Sequence, residues 1–147
     1  MKRSPLIKKF YRLRRSKLKV KSTKRILIND CKDLLRKILV SERGAKCELS
    51  ERPANRLGLF HIMPEGRYPR ISLHPHNLLL VNWFPYHYLW HHDPHRKDEI
   101  ESKIIRLRGE NYKEDLLKVN ALAPKLTMTC LNNIRIVLEI EVENLSP

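Results

Sequence analysis

The sequence predicts a small α+β domain. Three observations carry that expectation. Leu and Ile recur at helical spacing between residues 26 and 43, two short β-like runs flank the turn sequence Pro64-Glu65-Gly66, and a second helical pattern fills residues 94–108. A chain of 147 residues has room for one domain with a modest core and little room for a second. Hydrophobic residues make up 41% and charged residues 31%, a balance that excludes collagen-like and wholly disordered classes.

The first predicted element is a helix over 26–43. Asn29 or Asp30 can cap it, Leu34, Leu35, Ile38 and Leu39 form its apolar face, and Gly44 stops it. Residues 41–56 are polar and read as loop, with Pro53 barring a central strand. The runs at 58–63 (GLFHIM) and 68–73 (YPRISL) read as a hairpin, and Pro69 places the second run at a sheet edge. The segment LLLVNWF after Pro75-His76-Asn77 is apolar enough to be buried, but its period does not fix its type. Pro85 can open a short helix that carries YHYLWHH and ends at Pro94. Asp93 then caps a helix running to Arg108, with Ile100, Ile104 and Leu107 on one face and Gly109 at its stop. A short helix is expected over 112–119. The run from Leu131 to Leu145 fits both strand and helix periods; Thr129 as a cap and the lack of an adjacent partner strand favour helix.

Charge divides the chain. The 30 Lys and Arg outnumber the 16 Asp and Glu, and the whole excess of +14 falls within residues 1–46. Residues 1–25 carry twelve Lys or Arg and no acid, among them Lys8, Lys9, Arg12, Arg14 and Arg15, interleaved with apolar residues such as Leu6, Phe10 and Tyr11. This asymmetry points to a polyanion, nucleic acid before membrane, gripped by a basic arm over 1–25 in front of a near-neutral domain over 26–147. A flexible solubilising extension is the plainer reading of the same residues. No apolar run approaches the roughly 18–20 residues of a membrane span, and the basic start lacks the apolar core of a secretory signal. Cys31, Cys47 and Cys130 are too few and too scattered for a disulfide framework, which fits a reducing cytoplasm.

All seven histidines lie between residues 61 and 95. His87 and His91 are four residues apart on the predicted short helix, so both imidazoles share one face and can grip one cation. Partly buried, hydrogen-bonded histidines in an aromatic setting (Trp83, Phe84, Tyr86, Tyr88, Trp90) are the competing reading. Ahead of the pair stand His61 on the first β-run and Asn77 in the loop after the second, at separations of sixteen, ten and four residues.

That ordered set resembles the HNH, or ββα-metal, endonucleases over residues 47–93, with residues 94–147 as a helical extension. The helix before the motif also looks like its counterpart in phage-encoded recombination endonucleases. The resemblance implies a hairpin-helix core flanked by N- and C-terminal helices, and hydrolysis of DNA phosphodiester bonds with one divalent cation. Mg²⁺ or Mn²⁺ is the first expectation for that cation, and Zn²⁺ or Ni²⁺ the alternative. His61 is similar to the general base that activates water. Asn77 matches the residue that fixes the loop and, in some members, ligates metal. His87 and His91 match the helix-borne ligands, with His92 as a rival to His91. The chemistry asks for this set, because charge develops on the phosphoryl and leaving oxygens while water must lose a proton. Arg67 and Arg70 are placed to clamp phosphate, with ordinary surface charge as the alternative. A phage or bacterial origin, and hence the cytoplasm of a bacterial cell or infected host, also follows from the resemblance alone.

Two departures stand out. Members usually carry Asp or His just before the base, and here that residue is Phe60; Asp in its place is expected to strengthen metal binding. Many relatives also hold a structural zinc between two Cys-x-x-Cys knuckles. Here the first reads Cys47-Glu48-Leu49-Ser50 and the second, near 82–86, has no cysteine, so no structural zinc is expected. A catalytically inactive DNA-binding derivative and a basic RNA-binding protein remain open as alternatives, and nothing in the sequence sets an oligomeric state.

Overall fold

A computed structural model describes residues 23–54, 56–82 and 94–145. These form an α+β fold of four helices and a two-stranded antiparallel sheet. Residues 1–22 of the basic arm expected over 1–25 and the short helix expected after Pro85 lie outside the described residues, as does the cap expected at Asp93.

Helix α1 spans Thr23–Arg43 and buries Leu27, Cys31, Leu35, Ile38 and Leu39. Those positions recur every three or four residues, which places them on one face. The helix already runs at Thr23, so Asn29 and Asp30 lie inside it and cap nothing, and Lys24 and Arg25 belong to the helix rather than to an arm. Gly44 ends it at φ +88°, donating its N–H to the Val40 carbonyl at 2.9 Å; a side chain is strained at that angle, which is why glycine stands there.

Strand β1, Leu57–His61, matches the first predicted run. Its partner is not YPRISL but β2, Leu78–Asn82, in the register Leu57↔Asn82 to His61↔Leu78. The YPRISL segment instead forms a 3-10 turn at Pro69–Ile71, in which Pro69 supplies a preset φ and Ser72 N–H returns to the Pro69 carbonyl at 3.3 Å. Its alternation reported burial of Ile71 and Leu73, not strand geometry. The hairpin loop is therefore residues 62–77, and Asn77 precedes the second strand instead of following it. Phe60, Leu78, Leu79, Leu80 and Val81 are all at most 1% exposed. A two-stranded ribbon is marginal alone. Coverage on both faces stabilises this one, and it explains the unbroken apolar run LLLV.

The remaining helices are α2 (Pro94–Arg108), α3 (Tyr112–Leu122) and α4 (Met128–Asn144). Ile100 and Ile104 of α2 are buried, while Leu107 is 38% exposed and only borders the core. The cap of α4 is Thr127, whose hydroxyl accepts from Cys130 N–H at 3.2 Å, rather than Thr129. Helix α4 packs mainly on α1, where the Cys31 thiol points at the Leu131 carbonyl at 3.8 Å. No helix among the described residues is long and apolar enough to cross a membrane.

Candidate active site

His61 is the last residue of β1, half-buried, with its Nε2 2.9 Å from the Ser72 carbonyl oxygen. A carbonyl can only accept, so Nε2 carries the proton in this bond, and in the neutral ring the lone pair lies on Nδ1. The strand sets the position of the ring and the loop carbonyl sets its rotation.

That loop is held by Asn77, which is fully buried. Its Oδ1 accepts from Met63 N–H at 2.7 Å, and its Nδ2 donates to the carbonyls of Met63 at 3.1 Å and Ile71 at 3.2 Å. A buried primary amide is costly unless its donors and acceptor are matched. Here it ties both ends of the loop together, one residue before Ser72 and two residues after His61. His74 adds a second tie. Its Nδ1 accepts from His76 N–H at 3.2 Å, and burial, together with the neighbouring His76, holds the His74 ring below the ordinary imidazole range.

Glu65, on that loop and near His61, is salt-bridged to Lys32 at 2.7 Å and to Arg25 at 3.1 Å. Burial acts to raise its carboxyl pKa, but the pull of Lys32, with His61 and Arg25, outweighs that and lowers it. A cavity of about 490 Å³ opens here, lined in part by Lys24, Arg25, Glu65, Arg70, Ser72 and Lys125. Arg70 thus faces a cavity that includes the residue seating His61. Arg67 does not line it; Arg67 is exposed and lies over the Tyr68 ring at 5.7 Å from its centroid.

Phe60 belongs to the core. Successive side chains on a strand leave on opposite faces, and Phe60 is 1% exposed against Leu79 in register. An Asp there would be buried in apolar surroundings, so the expected gain in metal binding from that substitution is not supported by this geometry.

The turn after Gly44 is held without thiolate pairs among the described residues. Cys47 is a fully buried free cysteine, and Ser50 Oγ accepts from Arg52 N–H at 3.4 Å. Glu48 docks this turn on β2: its N–H reaches the Leu80 carbonyl at 2.7 Å, its carboxylate accepts from Leu80 N–H at 2.6 Å, and Arg43 pairs with it at 3.1 Å.

His87, His91 and His92, the candidate cation ligands, lie outside the described residues, and so do Lys8, Lys9, Arg12, Arg14 and Arg15. Among the described residues no group of three or more His, Cys, Asp and Glu is arranged to hold a metal ion. Sequence reasoning did not find Ser72, Lys24 or Lys125 as parts of this site. A backbone carbonyl leaves no residue-type signal, and the two lysines are far apart in the chain. No known protein family, curated protein or solved structure matches the chain.

Proposed function

We propose that the protein is a metal-dependent DNA endonuclease of the HNH type, with His61 as the base that takes a proton from the attacking water. The observation that carries this reading is the seating of His61. Its Nε2–H is committed to the Ser72 carbonyl, which directs the basic Nδ1 lone pair of the neutral ring away from that anchor. Asn77 supports the same reading, because it ties the loop that carries that carbonyl to the residues just after His61.

His87 and His91, with His92 as a rival, would hold the divalent cation, Mg²⁺ or Mn²⁺ first. Such a cation supplies Lewis-acid stabilisation of the charge that builds on the phosphoryl and leaving oxygens. The chain's own contribution is to orient the His61 ring through the Ser72 carbonyl, and to place Lys24, Arg70 and Lys125 around a cavity that Ser72 also lines. A recombination role in a phage or bacterial setting is the biological context that the family resemblance suggests.

A specific observation favours a second reading, a catalytically inactive DNA-binding derivative. Phe60 stands in the core at the position where HNH members usually carry a further ligand.

Nicking of supercoiled plasmid with Mg²⁺ or Mn²⁺, with and without chelator, separates the two. The endonuclease reading expects metal-dependent nicking that His61→Ala abolishes while divalent-cation binding by calorimetry persists, and that His87→Ala or His91→Ala loses together with cation binding. Full nicking by His61→Ala would overturn the assignment of the base, and no nicking by the native chain with any divalent cation leaves the DNA-binding reading.

A further inference from the structure

The cavity lined by Glu65 and Ser72 collects cations from three separate parts of the chain. Helix α1 provides Lys24 and Arg25, the hairpin loop provides Arg70, and the connector between α3 and α4 provides Lys125. Like charges gathered on one surface repel unless an anion answers them. Among the described lining residues Glu65 is the one acid, and Arg25 and Lys32 already neutralise it. Neither Lys24 nor Lys125 takes part in an ion pair among the described residues, and Arg70 has only a long contact to the Ala123 carbonyl at 3.5 Å. Both lysines are exposed.

We infer that this groove seats the phosphodiester backbone of a nucleic-acid strand on Lys24, Arg70 and Lys125. Several features favour a chain of phosphates over a single small anion. The cations come from three walls and project at the surface, an arrangement that suits successive phosphates rather than one enclosed oxyanion. A guanidinium at Arg70 offers a fork to one phosphate, while the two ammonium groups act as point charges on its neighbours. Between them Ile28, Pro69 and Leu126 give an apolar floor that a sugar can cover. Ser72 lines the groove and its carbonyl anchors the His61 ring, so a bound strand lies next to the residue that seats the proposed base. Its link to catalysis rests on the endonuclease reading; the affinity of the groove for phosphodiester does not. The inference also gives the helical extension a role in binding, since Lys125 lies well beyond the hairpin.

The test is binding of a fluorescent DNA duplex to the full chain, titrated in chelator over a salt series. Lys24→Ala, Arg70→Ala and Lys125→Ala are measured singly and together, beside a control of equal charge loss elsewhere (Lys46→Ala, Lys97→Ala and Lys118→Ala combined). Each phosphate contact accounts for about 0.9 in the slope of log affinity against log salt, so each single variant should flatten the slope by about that amount and weaken binding roughly eightfold at 0.1 M salt. The control should change both far less. Unchanged slope and affinity in the triple variant would overturn the groove, as would a control that loses as much. Adenosine monophosphate is the second probe. Failure of millimolar nucleotide to displace the duplex supports a strand, whereas tight nucleotide binding that the triple variant loses would overturn the strand in favour of a free nucleotide. Binding in chelator does not depend on cleavage. A native chain that never nicks, with a triple variant that still loses affinity, keeps the groove and removes the nuclease; a native chain that nicks, with a triple variant that binds normally, does the reverse.

Discussion

Asn77 is the residue on which the loop geometry turns, and its three hydrogen bonds make its replacement diagnostic. Asn77→Ala leaves Met63 N–H without its acceptor and removes a donor from the Met63 and Ile71 carbonyls, the latter keeping only His74 N–H. A loss of about 3 kcal/mol in unfolding free energy is expected by urea denaturation. Asn77→Asp should be no better, because its second oxygen would face the carbonyls of Met63 and Ile71 in a fully buried site. His74 gives a pH-dependent prediction. Its folded pKa lies below the ordinary value of 6.5, from burial first and His76 second. A depressed imidazole pKa means that the unfolded chain binds the proton more readily, so the stabilisation is present above about pH 6.5 and is lost as pH falls through the folded pKa. The stability of the native chain relative to His74→Gln should therefore shrink as pH is lowered from 7.5 to 5, as read by urea midpoints. A pH-independent difference would show that the ring does not titrate with folding.

Among the elements, the turn over residues 45–54 is braced to the sheet by a carboxylate. Glu48 is bound through both its backbone and its side chain to Leu80, and it also offsets Arg43, whose Nη1 shares the Leu78 carbonyl with Arg108. Burial and the nearby Arg43 lower the pKa of Arg108, a sign that these two guanidiniums lie close together. Removing Glu48 should cost about 2–4 kcal/mol, since it strands a buried N–H and leaves a cation pair less screened. Glu48→Gln keeps the acceptor for Leu80 N–H and should lose less than Glu48→Ala in the same denaturant titration; equal losses would place the stabilisation in the ion pair alone. Much at this scale was legible in the sequence. Helical spacing located α1 and α2, because one face of each meets the core, whereas the run that forms α4 fitted strand and helix periods alike. The second strand was not, since YPRISL alternates only because Ile71 and Leu73 point inward from a turn. LLLV carries no period because both of its faces are covered.

At the scale of the molecule, residues 1–22 carry ten Lys or Arg and no acid. Deletion of residues 1–22, sparing the α1 residues Lys24 and Arg25, should leave the thermal unfolding midpoint nearly unchanged. It should also weaken DNA binding and flatten its salt dependence. Intact affinity and slope after that deletion would reject the segment as a binding element. Within the described residues α1 is tied to the loop through Arg25 and Lys32 and to α4 through its apolar face.

The sequence by itself determined the α+β class, the approximate spans of α1, α2 and α3, the basic start and the identity of the histidines and Asn77 as the residues to watch. These follow from local period, composition and order, which a chain carries whatever its tertiary partners. Only the tertiary structure decided that β1 pairs with LLLVN, that Phe60 faces the core, that Ser72 seats His61, and that Lys24, Arg70 and Lys125 meet in one groove. Each of those facts joins segments separated along the chain. Such meetings depend on which apolar faces bury against one another, and local pattern says only that a face is apolar, not which neighbour will cover it.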